Sequence, residues 1–264
     1  VTTPAALLDL ATGAARDAGA LLRDGLEQTR TTIETKSTTT DMVSEMDRAA
    51  EALLVDGLLG ARPEDGMVGE EGTDRTGTSG VRWIVDPLDG TTNYLYRLPG
   101  FAVSIAAEVD GTVQVGVVYD VVHDELFSAV RGVGATRDGQ PIRCSAADDL
   151  ATALVATGFS YEPARRERQA EVLVGLLPKV RDVRRFGAAS VDLCAVACGR
   201  VDAYYERGLA PWDLAAGVLI AEEAGAVVTG FDGGPVAAGA VVAAARGVAG
   251  GLRALLEGLG AADA

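Results

Sequence analysis

Asp86 and Asp89 stand where an apolar run, Trp83-Ile84-Val85, gives way to Pro87-Leu88 and then to Gly90-Thr91-Thr92-Asn93. Paired carboxylates supply the hard oxygen ligands that magnesium prefers. Gly90 lets the backbone turn closely, and Thr91-Thr92-Asn93 reads as the opening of a short helix. A strand end followed by a helix start exposes unpaired N–H groups, which suit a phosphate. A proline-containing turn with an Asp-Gly bend and a threonine cap would account for each dipeptide alone. It does not account for the whole string.

Two further acidic sites lie far from this one in the chain. Gly69-Glu70-Glu71-Gly72 places two acids in a glycine-flanked loop after Met67-Val68, where a solvated acidic turn is the plain alternative. Ala210-Pro211-Trp212-Asp213 places Asp213 in the first turn of a helix, where its charge also favours the helix dipole. Small residues at 215–217 allow that helix a close neighbour.

Composition narrows the chemistry. The single histidine, His123, falls in Val121-Val122-His123-Asp124-Glu125, which reads as a turn between strands. That argues against Ser-His-Asp hydrolysis, histidine-rich zinc sites and phosphohistidine chemistry. Three cysteines, Cys144, Cys194 and Cys198, lack zinc-type spacing and read as small core residues in a reducing cytoplasm. The net charge of −15 argues against general affinity for nucleic acid or anionic membrane. No apolar run approaches the ~18 residues of a membrane span, and the first residues lack the basic start and apolar centre of a secretory signal. A carboxylate site in so acidic a chain would repel phosphate unless cations neutralise it.

The elements that must position these groups follow from periodicity. Residues 4–28 carry apolar positions at helical spacing, and a threonine-rich polar stretch, Thr29 to Thr40, reads as a loop or irregular hairpin. Asp41 is the expected N-cap of a second helix to about Leu59, ended by Gly60-Ala61-Arg62-Pro63. Arg82 to Asp86 reads as a strand that stops at Pro87. Strands are expected over Phe101–Val109, Val113–Tyr119 and Glu125–Val130, with hairpin turns at Asp110-Gly111 and Asp138-Gly139. Beyond about residue 150, strands at Ala153–Thr157, Val180–Arg185 and Val201–Glu206 alternate with helices at Pro163–Leu177, Ser190–Cys198 and Trp212–Ala224. Two short strands and a helix from Val248 to Leu259 follow. The chain therefore reads as one domain over 1–264, an antiparallel-sheet half (1–150) followed by an α/β half (151–264), with helix and sheet layers stacked alternately.

Taken together, Glu70-Glu71, the Asp86–Asn93 string, Gly187-Ala188-Ala189, Asp202-Ala203-Tyr204-Tyr205-Glu206 and Pro211-Trp212-Asp213 resemble the inositol monophosphatase family of lithium-sensitive, magnesium-dependent phosphatases. The resemblance runs from Lys36 to the final helix. It implies an α/β (α+β) fold in a five-layer αβαβα sandwich, a homodimer, and two to three Mg2+ ions per site. Glu70, Asp86, Thr91 and the Leu88 carbonyl would hold one ion. Asp86, Asp89 and Asp213 would hold a second, with a weaker third near Glu70. Asp47 would pair with Thr91 to orient the attacking water, and Glu71 would support its loop. Asp89, Gly90, Thr91, Thr92, Ala189, Glu206 and Asp213 would meet the substrate, and Lys36 would lie in a loop over the metals.

Two magnesium ions account for phosphate monoester hydrolysis, because they lower the pKa of a bound water and clamp the leaving oxygen. They also turn the clustered acids into an anion site. The implied reaction is hydrolysis of myo-inositol 1-phosphate. Histidinol phosphate, fructose 1,6-bisphosphate and adenosine 3′,5′-bisphosphate are alternative substrates, and a regulatory protein that binds transcription machinery is the non-enzymatic alternative. One departure stands out: Ala188 occupies a position where relatives carry Ser or Thr, which removes a hydroxyl near the substrate.

Overall fold

A computed structural model describes residues 2–31, 39–236 and 239–264. Two helices come first, α1 (Pro4–Thr31) and α2 (Thr39–Ala61). α1 buries Leu7, Ala11, Ala15, Ala18 and Leu22, the three-and-four spacing of one helix face. α2 buries Asp47, Ala50, Glu51, Leu54 and Leu58, so two carboxylates share its apolar stripe. The expected cap, Asp41, falls inside the first turn of α2, because the helix starts at Thr39. Lys36 lies outside the described residues.

The first sheet comprises β1 (Gly66–Gly69), β2 (Asp74–Arg75), β3 (Val81–Asp89), β4 (Ala102–Val109), β5 (Thr112–Asp120), β6 (Glu125–Val130), β7 (Gly134–Arg137) and β8 (Gln140–Pro141). The short helix α3 (Thr91–Tyr96) follows β3. The strand order is β2-β1-β3-β4-β5-β6-β7-β8. β1 and β3 run parallel, and the other neighbours run antiparallel. Asp110-Gly111 and Asp138-Gly139 both take left-handed φ angles, as two-residue hairpin turns require.

The second sheet holds β9 (Leu154–Thr157), β10 (Asp182–Arg184), β11 (Ala203–Arg207), β12 (Val227–Thr229) and β13 (Ala240–Ala244), in the order β10-β9-β11-β13-β12. α4 (Pro163–Leu176) joins β9 to β10, α5 (Ala189–Ala197) joins β10 to β11, and α6 (Pro211–Glu223) joins β11 to β12. α7 (Arg246–Gly258) follows β13.

Three apolar cores separate five layers. Leu7, Leu22, Leu54, Trp83 and Ile105 belong to the core between α1/α2 and the first sheet. Ile84, Val118, Leu193, Ile220, Tyr204 and Val241 form a second, in which α5 and α6 lie between the two sheets. Val155, Val172, Tyr205, Val242 and Leu252 form the third, under α4 and α7. This is the expected αβαβα sandwich, a mixed α/β fold. Neighbouring residues of one strand, Ile84 and Val85 or Tyr204 and Tyr205, enter opposite cores, the period-two alternation of a sheet buried on both faces.

β3 differs from expectation. It does not stop at Pro87 but runs to Asp89, with a register shift against β4 between Asp86 and Asp89. Proline cannot donate to a ladder, and the irregularity absorbs that loss before pairing resumes at Asp89. All three cysteines are free thiols, with Cys194 buried in the second core. Among the described residues, no helix is long and apolar enough to cross a membrane.

Candidate active site

The irregular end of β3 builds the site. Trp83 anchors the strand's root, its indole N–H donating to Asp65 Oδ2 at 3.0 Å. Past it, the Asp86 carboxylate accepts the Leu88 amide at 2.9 Å, a bond that curls the backbone around Pro87. Gly90 then turns into α3 with φ +92, where a side chain would strike the Gly100 carbonyl and crowd the Ala188 methyl. The first bond of α3 is Tyr94 N–H to Gly90 O at 3.1 Å, so the amides of Thr91, Thr92 and Asn93 have no acceptor within the helix. Asn93 fixes the turn to its surroundings, donating to the carbonyls of Gly100 and Phe186 at 2.6 and 2.7 Å.

Asp213 arrives from the first turn of α6. It accepts the Ala210 amide at 2.6 Å and so caps its own helix. Ligand oxygens of Asp86, Asp89 and Asp213 all lie within 4.8 Å of one another, close enough for one cation to bind all three. Glu70, on the turn after β1, hydrogen-bonds Asp86 and joins the same cluster. That turn is held from α2: Glu51 accepts the amides of Glu71 and Thr73 at 2.7 and 3.0 Å and the Thr73 hydroxyl at 2.6 Å.

A cavity of about 410 Å3 opens above this floor. Glu70, Asp86, Leu88, Asp89, Gly90 and Thr91 line one side, with Ala188, Ala189, Glu206 and Asp213 around the rest. Glu206 comes from β11 and accepts the Tyr204 hydroxyl at 2.6 Å. Asp47 and Thr92 are not part of the lining. Thr92 reaches Tyr161, a lining residue, at 3.5 Å between hydroxyls. The Thr91 hydroxyl donates to Leu88 O at 3.1 Å, and among the described residues no hydrogen bond joins it to Asp47.

The electrostatics are those of buried acids crowded together. Burial pushes the Asp86 carboxyl well above its ordinary value, and Asp89, Glu70 and Asp213 push it further. Burial raises Asp213 to about 7, with Asp89 adding and the Ala210 amide opposing. Burial likewise raises Glu206 and Asp47 to about 7. Asp89 is raised by burial against the restraint of the Ser190 hydroxyl and the Ser190 and Ala189 amides. Such a cluster keeps protons until a divalent cation takes their place.

Four contributors escaped the sequence reading. Glu51 holds the Glu70 turn, and its spacing from Asp47 on a buried helix face was its signal. Ser190 binds Asp89 from the start of α5. Arg185 lines the cavity and lowers the pKa of Asp89 and Glu206. Asp192 is buried beneath, its pKa raised by burial and then by Glu206 against the restraint of the Gly187 amide. Sequence spacing carries no signal for the last three.

Comparison with known proteins places this geometry. Residues 4–262 match the inositol monophosphatase family. An inositol-1-monophosphatase of Mycobacterium leprae is 50% identical, the match covering 85% of this chain and 81% of that one. The Nus factor SuhB of Escherichia coli is 43% identical, covering 86% of each. The solved structure of Mycobacterium tuberculosis SuhB superposes with a TM-score of 0.86 at 42% identity, covering 98% of each chain.

Proposed function

The chain belongs to the inositol monophosphatase family, and we propose that it is a magnesium-dependent phosphatase of small phosphate monoesters, with myo-inositol 1-phosphate its leading substrate. The observation that carries this reading is the convergence of Asp86, Asp89 and Asp213 at the base of a cavity that also holds Glu206. All the donors are hard oxygens, as magnesium requires.

Glu70, Asp86, Asp89 and Asp213 would hold the ions, with the Leu88 carbonyl and Thr91 completing the ligand set. Bound magnesium supplies the positive charge that phosphate oxygens need and makes water acidic enough to attack at neutral pH. The free amides at the start of α3 face the phosphate beside Gly90, Thr91 and Thr92. Asp47 would pair with Thr91 to orient the attacking water. Glu206, held by Tyr204, accepts a hydrogen bond from a substrate hydroxyl, and the Ala189 backbone meets the alcohol from the other side. Ala188 presents only a methyl there, which loosens the grip on that face of the polyol. The protein acts as a homodimer in the cytoplasm.

The test is turnover with and without magnesium, and kcat/KM for inositol 1-phosphate beside histidinol phosphate, fructose 1,6-bisphosphate and adenosine 3′,5′-bisphosphate. Magnesium-dependent release of phosphate, fastest from inositol 1-phosphate, is expected. Undiminished turnover in excess chelator refutes the metal reading. A second reading, a regulatory role on transcription machinery, is favoured by the Escherichia coli relative's description as a Nus factor. Capture of transcription proteins from extract by the tagged chain tests it.

A further inference from the structure

Among the described residues, Tyr161 is the only large apolar side chain that is both exposed and part of the cavity lining. It is 78% exposed. Tyr96, the other exposed tyrosine, is not part of the lining. One exposed tyrosine is ordinary on a protein surface; its place on the rim of a carboxylate-floored cavity sets Tyr161 apart. The chain on either side of it is held. The Ser160 amide donates to Gln169 Oε1 at 2.9 Å, the Glu162 amide donates to Ser160 Oγ at 3.1 Å, and Pro163 then opens α4. The root of the side chain is therefore fixed while its ring meets solvent. Its hydroxyl lies 3.5 Å from that of Thr92. Thr92 belongs to the first turn of α3, which follows β3 of the first sheet, whereas Tyr161 follows β9 of the second. The side chain thus reaches across the rim from one sheet's connection to the other's.

The polar partner of this ring stands against the same loop. A Cβ at Gly158, shortly before Tyr161, would strike the carboxylate of Glu206. Glu206 is the group proposed to take a substrate hydroxyl, so a hydrogen-bond acceptor and an aromatic face share one wall of the cavity. A cyclic polyol carries hydroxyls around its edge and bare C–H bonds on its faces. An acceptor answers the first surface, and an aromatic ring, apolar in its body and polar at its tip, answers the second. An open-chain polyol presents no such flat apolar face. Ala188, also in the lining, brings no hydroxyl to the substrate, which leaves more of the grip to apolar contact.

We propose that Tyr161 determines specificity: its ring is a platform on which the carbon ring of a cyclic polyol phosphate rests, so the site favours closed-ring over open-chain esters. This deepens the proposed phosphatase function and rests on it. The phosphate lies over the carboxylates, Glu206 takes a hydroxyl at the edge of the polyol, and Tyr161 covers one C–H face. The contact is made by the aromatic ring; the phenol hydroxyl is turned to Thr92. Tyr161 touches no reacting atom, so its effect falls on binding and leaves the bond-breaking step as it is.

Inositol 1-phosphate and mannitol 1-phosphate form a matched pair, with the same number of carbons and free hydroxyls, one closed into a ring and the other open. Tyr161→Ala should lower kcat/KM for inositol 1-phosphate roughly five- to twentyfold, the worth of one ring contact and the area it buries. The loss should appear in KM, with kcat held, and mannitol 1-phosphate should be turned over almost as before. Tyr161→Phe, which keeps the ring and drops the hydroxyl, should retain most of the preference, and Tyr161→Leu only part of it. Melting curves verify that each variant folds. An equal loss on both esters overturns the platform and leaves the phosphatase reading standing, as does an unchanged ratio between them in Tyr161→Ala or a loss confined to kcat. No turnover of either ester by the unaltered protein refutes the phosphatase reading instead. Calorimetric binding of the same pair in magnesium buffer then decides the platform: tighter binding of the cyclic ester, lost in Tyr161→Ala and kept in Tyr161→Phe, supports it, and equal binding overturns it.

Discussion

Ser190 is bonded twice to Asp89: its amide and its hydroxyl donate to the same carboxylate oxygen, Oδ2, at 2.7 and 2.6 Å. One bond is set by the backbone at the start of α5 and survives substitution. The other belongs to the side chain alone. Both favour the ionised form of Asp89 against its burial. Ser190→Ala should therefore weaken magnesium binding. A hydrogen bond to a charged group contributes about 1.5–3 kcal/mol, so the half-saturating magnesium concentration should rise roughly ten- to a hundredfold. A magnesium titration of activity measures it, and an unchanged midpoint would sink the assignment.

Proton and magnesium should compete in stability as well as in binding. Asp213, Glu206 and Asp47 are each raised to about 7, above the values they have in an unfolded chain. Acids with raised folded pKa values stabilise fully below their unfolded pKa and lose that contribution as pH climbs through the folded one. The melting temperature of the chelated protein should therefore fall between pH 5 and 8. Saturating magnesium should raise it by mass action and flatten the fall. Asp213→Asn should diminish both effects. A melting temperature indifferent to millimolar magnesium at pH 8 would show that the acids do not share a cation.

The proposed pairing of Asp47 with Thr91 makes a kinetic claim. Asp47→Asn and Thr91→Ala should each lower kcat by roughly 10²–10⁴-fold, the usual worth of a positioned proton acceptor. Because the two act as a unit, the double variant should be little worse than either single one. Losses that multiply would mean independent roles, with Thr91 serving only the Leu88 carbonyl it binds at 3.1 Å.

Glu206→Gln should separate selectivity from chemistry. The variant should raise KM for inositol 1-phosphate while a small aryl phosphate, which has no ring hydroxyls, is turned over almost as before. Equal losses on both substrates would place Glu206 with the reacting phosphate instead.

What the sequence revealed of the site divides along physical lines. Asp86, Asp89 and Asp213 were legible because each sits in a local signal: an apolar strand meeting an Asp-Gly turn, or an acid in the first turn after Ala210-Pro211. The layered fold was legible because hydrophobic periodicity changes character near residue 150. Pro87 misled, since a proline normally ends a ladder and only the tertiary register shows that β3 tolerates it. Ser190, Arg185 and Asp192 act across layers, on partners remote in the chain, and nothing in their immediate neighbours marks them. Glu51 is intermediate: a carboxylate on the buried stripe of α2 asks for a partner, but only the structure supplies the Gly69–Thr73 turn.

The proposed cation ligands are drawn from separate layers of the sandwich, Asp86 and Asp89 from the first sheet and Asp213 from the helix layer beneath it. Such a site cannot exist until those layers have docked. Magnesium therefore has little to hold in the folding transition state and cannot hasten the search for the native arrangement. Its effect falls on the return journey, because parting the first sheet from α6 must also release the ion. Interactions absent from the transition state slow unfolding and leave refolding alone. In stopped-flow experiments magnesium should lengthen the native lifetime without changing the refolding rate, and the ion becomes a latch set after assembly.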